Sequence, residues 1–383
     1  MVGLSAIFFA GIAVSSGPNS SLGFQTTRNL VRVSTFSSLS SSKRINNDKQ
    51  FPSVFLPTSQ AHSLATSGAA SSSSSLNAVP IEVLTSFLPP VMGFVKSEWI
   101  VSYGYGFATA LSGLSILLKQ TAMSQQPFTW TISSLQAAAL VFYGFRLNAY
   151  LFIRNRLSPT YRAIGEKIEE KSKERFATRL SRAPFVLSCG LLYYGLYLPV
   201  LLTTKLSSDA LAMKSAAGVG MATMKVLVGL QWFGYVLAAL GDLTKSYVKG
   251  SEKNGKFLVT SGIFSVLRHP NFTGEILSWT ANALCGTLAG AYLLRSRFSL
   301  PVLGYLGLSG MGGAGIIFVL LGATRNLEER QSREHGHTQK YKKWVKKTWC
   351  GWKMSPKPKV EEKEKAHEIT MNADVAEDFG SGI

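Results

Sequence analysis

Residues 183–203 read APFVLSCGLLYYGLYLPVLLT, twenty-one positions without one charged side chain. A helix needs about 20 apolar residues to cross the hydrocarbon core of a bilayer. This run meets that length, so it is predicted to span. Working outward, comparable stretches lie near 98–118, 128–151, 216–241, 275–294 and 299–322. Gly, Ala and Ser recur through them, which suits helices whose backbones approach closely in lipid. A shorter apolar piece at 78–95 is broken by Pro89 and Pro90 and reads as interfacial or re-entrant. The pattern predicts an all-α, polytopic transmembrane helical bundle of about six to seven spans. The bundle occupies residues 81–353, between a leader and disordered Ser-rich linker at 1–80 and a disordered charged tail at 354–383.

The chain of 383 residues carries a formal net charge of +19. Placement decides what that charge means. Nine Lys and Arg fall in 152–182, five in 242–274 and thirteen from 323 onward. The alternating loops hold only Lys119, then Lys205 and Lys214, then Arg295 and Arg297. Six spans would put every basic loop on one, cytosol-like side, as the positive-inside rule requires. The expected partner is therefore the lipid bilayer. Nucleic acid is not expected, because no basic stripe is interleaved with stacking aromatics. Cys189, Cys285 and Cys350 lie far apart, and His335 and His337 have no further His or Cys nearby, so neither a disulfide framework nor a metal site is expected. Oligomeric state leaves no mark on the sequence.

Residues 2–14 form an apolar run of signal-peptide length, and 15–80 are Ser-rich and basic with Asp48 as the one acid. That composition suits a targeting segment and cannot bury enough apolar surface to fold. A signal-like core followed by transit-like sequence resembles bipartite leaders into complex plastids. An endoplasmic reticulum signal plus linker is the alternative, and mitochondrial import a third. The expected location is an integral position in a plastid or endoplasmic reticulum membrane.

Polar residues inside spans are costly and mark function. The second span ends FYGFRLNAYLFIRNR, in which Tyr143, Arg146, Tyr150 and Arg154 are spaced to share one helix face. Asn148 and Asn155 form a second pair at seven-residue spacing. Arg154 and Arg156 can snorkel to the interface, whereas Arg146, deeper in the span, needs an anion or water. The loop 242–275 holds Asp242 and Lys245, then Arg268, His269 and Pro270 ahead of a helix start. Helix N-termini attract phosphates and carboxylates, so this turn is a candidate for a phosphorylated cofactor, or for lipid headgroups. After the last span come Glu328, Glu329, Arg330, Arg333 and Tyr341 as candidate clamps, on a segment that also reads as an interfacial helix anchored by Trp344 and Trp349.

The stretch GIFSVLRHPNFTGEILSW at 262–279 resembles the motif of steroid 5-alpha-reductase-like membrane proteins of the DUF1295 group. GFRLNAYLFIRNR at 144–156, with Tyr161 and Arg162 after it, Asp242 with Lys245, and the LEERQ…KYKKWVKKT tail are similar to other parts of that pattern. The resemblance implies NADPH-dependent reduction of a carbon–carbon double bond in a lipophilic sterol, isoprenoid or fatty-acyl substrate, a role in lipid metabolism. It implies that Asp242, Lys245, Arg268, His269, Asn271, Gly274 and Glu275, with Arg146 and Asn155, serve the cofactor, beside Tyr341 as the candidate clamp. Tyr143, Tyr150 and Arg146 are the expected catalytic residues, with Tyr193 as a further candidate donor. Phe272 and Val266 stand where the pattern has Tyr. A neighbouring group, the isoprenylcysteine and phospholipid methyltransferases, shares the Arg-His-Pro turn and a following Glu-Glu, which keeps S-adenosylmethionine-dependent methyl transfer open. A non-catalytic membrane protein of the same fold is the third reading.

Overall fold

Hydrocarbon offers no partner to a bare peptide group, so apolar runs of membrane length satisfy their backbones internally as helices. The computed structural model describes residues 80–123, 129–157, 159–251 and 258–355. The expected leader and tail lie outside them except for residues 80, 354 and 355. In chain order the helices are α1 (Ile81–Phe87), α2 (Glu98–Val101), α3 (Tyr103–Met123), α4 (Ile132–Leu157), α5 (Pro159–Arg175), α6 (Ala183–Ser208), α7 (Ala210–Ala216), α8 (Val219–Ser251), α9 (Pro270–Ser296), α10 (Leu300–His335) and α11 (Gln339–Lys347). Short 3₁₀ turns occupy Pro89–Phe94, Leu180–Arg182 and Gly262–Ser265. No strand occurs among the described residues, only an isolated parallel bridge between Leu267 and Trp349.

Four segments are long and apolar enough to cross a bilayer: Glu98–Ala122, Leu180–Ser208, Val219–Val248 and Leu300–His335. The chain is an integral membrane protein. Helices α4 and α9, of 26 and 27 residues, fall where two further spans were expected. They lie outside the apolar set and carry Gln136, Arg146, Asn148, Glu275 and Asn282. The piece broken by Pro89 and Pro90 is α1 plus a 3₁₀ turn, packed on α3 and α6.

Two features lock the bundle. Helices α8 and α9 touch backbone to backbone at Gly234 and Gly274, where a Cβ on Gly274 would lie 2.3 Å from the Gly234 carbonyl oxygen. Any larger residue separates the helices. Gln136 of α4 donates to Asn282 Oδ1 of α9 at 2.8 Å and accepts from Thr203 of α6 at 2.7 Å, while Asn282 donates to the Leu196 carbonyl at 3.1 Å. Every member is buried and bonded, the condition under which an interior polar network specifies one packing.

At the start of the Leu180–Ser208 span, Arg182 donates to Glu169 of α5 at 2.7 Å and to the Gly93 carbonyl at 3.2 Å, and Glu169, outside the spans, accepts from the Ser97 amide at 2.8 Å. Partial burial alone would raise the Glu169 pKa, but these donors pull it down from 4.5 to about 2. A depressed carboxylate pKa contributes stability that is complete above its unfolded value and disappears as pH falls through the folded one. Thermal stability should therefore decline between pH 4.5 and about 2 more steeply in the wild type than in Glu169→Gln. Equal slopes in a pH series of melting curves would refute this.

Candidate functional site

One end of the bundle gathers the end of α4, the end of α8, the start of α9 and the end of α10, through the pairs Arg146–Asp242 and Arg268–Glu328. Tyr143 and Arg146 project from α4 one turn apart. Tyr143 is fully buried, and its hydroxyl donates to Glu275 Oε2 at 2.9 Å. It lies 3.2 Å from the Tyr105 hydroxyl. Its ring stacks on Tyr235 with centroids 4.5 Å apart and meets Trp279 edge-on at 5.6 Å. Arg146 covers the other side, 5.3 Å from the ring centroid. It bonds Asp242 and stands 3.9 Å from Glu275 Oε1, while its Nε makes no hydrogen bond. Two carboxylates, one guanidinium and one phenol thus meet inside an aromatic box.

Such a cluster can orient a phenolic proton in a dry setting. Burial strengthens each electrostatic contact and makes an unpaired charge costly, so Arg146, Asp242 and Glu275 depend on one another.

The Arg-His turn is built differently from the expectation. Pro270 opens α9, and His269 flanks it with φ −131° and ψ 63°. Arg268 and His269 are buried, not splayed into solvent. Both converge on one carboxylate: Glu328 Oε1 lies 3.0 Å from Arg268 Nε and 2.6 Å from His269 Nε2. Arg268 also donates to the Val345 carbonyl at 2.9 Å, and Lys353 reaches Glu328 at 3.5 Å. The turn is a clasp joining α9 to α10 and the segment after α11. Removing the carboxylate strands two buried donors. Glu328→Ala should cost roughly 3–5 kcal/mol of stability, the range for breaking a buried pair, read as a lowered unfolding temperature; an unchanged one would show the clasp to be dispensable.

The other expected residues divide. Lys245 is half-buried one turn beyond Asp242 on α8, and Asn271 is half-buried in the first turn of α9. Gly274 spends its close approach on Gly234 of α8. Tyr341 is buried with Leu258, Trp344 and Val345, and burial raises its hydroxyl pKa. Tyr150 is half-buried under Arg154, whose guanidinium stands 5.5 Å from its ring. Tyr193 donates to the Ile100 carbonyl at 2.8 Å and packs on Tyr105. Trp344, expected at the headgroups, is instead buried and donates to the Phe264 carbonyl at 2.6 Å, because α11 turns its aromatic face onto the loop before α9. Trp349 and Trp352 are the exposed pair. Among the described residues no group of His, Cys, Asp and Glu could hold a metal.

Asn155 stands apart, donating to the Tyr103 hydroxyl at 3.2 Å. It lines an open groove of about 780 Å³ with Trp99, Tyr103, Phe145, Asn148 and Phe152, and no other expected site residue does. Residues 145, 148, 152 and 155 lie on the face of α4 opposite Tyr143, Arg146 and Tyr150 at 100° per residue.

Three box residues carried no role in the sequence reading: Tyr105, Tyr235 and Trp279. Tyr235 is seven residues before Asp242, two turns along one face, and Trp279 four after Glu275, so helical spacing from the acids could have found both. Tyr105 has no such signal.

The family model described as "Protein of unknown function (DUF1295)" matches residues 94–348. No curated protein and no solved structure matches the chain significantly.

Proposed function

From the premise that the chain belongs to the DUF1295 family, we propose that it reduces a carbon–carbon double bond of a lipophilic substrate, with NADPH as hydride source and Tyr143 as proton donor. The observation that carries this reading is the Tyr143 hydroxyl, held 2.9 Å from Glu275 beside Arg146 in a water-poor aromatic box. The resemblance to steroid 5-alpha-reductase-like proteins noted above supplies the reaction class.

The fit of the cofactor rests on the cations and backbone amides gathered at this end. Arg268 and His269 are ion-paired with Glu328, and they serve by fixing the turn from which α9 begins. Arg146 keeps Nε without a hydrogen bond. Lys245 and Asn271 flank that end, where the first-turn amides of α9 suit a phosphate. These residues would hold the dinucleotide. Bound there, its reduced nicotinamide supplies a hydride to an electron-poor alkene.

The chain's residues do the rest. Tyr143 gives its phenolic proton to the second carbon, balancing the hydride, and regains a proton from solvent once the product has left. Glu275 fixes the hydroxyl's direction, and Arg146 offsets the charge left on the phenolate. The aromatic walls exclude water. Sterol, isoprenoid and fatty-acyl skeletons all suit an apolar box, and entry is lateral from lipid.

A ligand of the folded state raises apparent stability. The purified protein should be stabilised against heat by NADPH and not by S-adenosylhomocysteine. The reverse pattern would replace this reading with methyl transfer. No effect from either ligand, together with unaltered cells carrying Arg268→Ala, would favour a non-catalytic membrane protein.

A further inference from the structure

The groove on the outer face of α4 takes no part in the chemistry proposed for Tyr143. Its floor is apolar: Phe107 of α3 and Phe145 and Phe152 of α4, the last two more than half exposed. Two polar residues of α4, Asn148 and Asn155, interrupt it, and Asn155 is bonded to Tyr103. Asn148 is only 6% exposed, yet neither its Nδ2 nor its Oδ1 has a hydrogen-bond partner. It fits because residue 106 of α3 is glycine; a Cβ there would lie 2.3 Å from Asn148 Oδ1. A buried amide without a partner costs free energy that a bound polar group would recover.

The mouth carries charge. Lys96, Arg156 and Arg162 line it together with Glu98 and Glu166, three cations against two carboxylates. The Lys96 ammonium stands 5.7 Å from the Trp99 ring, and Arg156 and Arg162 are exposed. A tryptophan beside cations at the end of an apolar groove is the signature of the bilayer interface. Asn148 precedes Arg156 by eight residues, roughly 12 Å along the axis. Long helical side chains lean toward the N-terminus, which brings the guanidinium back toward Asn148. That spacing suits a headgroup phosphate above its own ester linkage.

We propose that this groove is a dedicated site for an anionic diacyl phospholipid. The acyl chain lies on Phe107, Phe145 and Phe152, an ester carbonyl accepts from the Asn148 amide, and the phosphate sits between Arg156 and Arg162. The site is independent of the reductase reading, since it uses the opposite face of α4.

The test uses the full chain, delipidated in neutral detergent. It is titrated with dioleoyl phosphatidylglycerol, dioleoyl phosphatidylcholine or inorganic phosphate, and read by thermal midpoint and by native mass spectrometry for retained lipid. Phosphatidylglycerol should raise the midpoint saturably and remain as a bound adduct, and phosphatidylcholine should need about tenfold more lipid for the same shift. Inorganic phosphate should do nothing. Arg156→Gln with Arg162→Gln, both at exposed positions, should erase the headgroup preference. Asn148→Leu, compared with its own lipid-free midpoint, should weaken binding of both lipids. Equal response to the two lipids, a full shift with phosphate alone, or wild-type binding by both variants would overturn the proposal.

Discussion

Replacing Tyr143 by Phe should reduce NADPH-dependent saturation of the lipid substrate by about a hundredfold to ten-thousandfold, the range for losing a positioned proton donor. The ring keeps its stacking on Tyr235 and its edge contact with Trp279. The lost hydroxyl leaves Glu275 Oε2 without its donor, a cost of about 1–3 kcal/mol. The variant should therefore still fold, and its melting curve serves as the control. Rate should fall with little change in apparent substrate affinity, because the proton is needed only as the bond changes. A Tyr143→Phe protein with full turnover would remove the donor from the mechanism.

Arg146→Ala should be the most destabilising single change in the box. It leaves Asp242 and Glu275, 7% and 8% exposed, without their shared cation. Stranding a buried partner costs roughly 3–5 kcal/mol, whereas removing both members of a pair costs less. The double variant Arg146→Ala, Asp242→Ala should accordingly be more stable than Arg146→Ala alone. Arg146→Lys should not restore the wild type, since a single ammonium cannot serve Asp242 and Glu275 while also covering the Tyr143 ring. Denaturant or thermal unfolding of the wild type, Arg146→Ala, Asp242→Ala and the double variant forms a double-mutant cycle, and additive losses would show that Arg146 and Asp242 do not act as a pair.

Helix positions were legible in the sequence because hydropathy and the backbone's demand for internal bonding act locally. Each expected span has a helix over it, although Arg146, Glu275 and the Gln136–Asn282 pair set α4 and α9 apart from the four apolar spans. The face bearing Tyr143 and Arg146 followed from spacing alone. What sequence could not supply was pairing across elements. Arg268 and His269 looked like free donors beside a helix start, yet Glu328, some sixty positions later, claims both. Glu328 stood among the candidate clamps without a partner. Gly274 likewise looked like a place for a ligand to approach, and Gly234 of α8 occupies that approach. Asn155 joined the other site residues only by motif; helical rotation puts it on the groove side of α4, bonded to Tyr103.

The most direct measurement compares the lipids of cells that lack the gene with those of cells carrying it. Reduction at the Tyr143 box predicts that one lipid accumulates with an extra double bond while its saturated counterpart disappears, and that Tyr143→Phe fails to reverse this. Accumulation of an unmethylated lipid, or an unchanged lipidome, would contradict it.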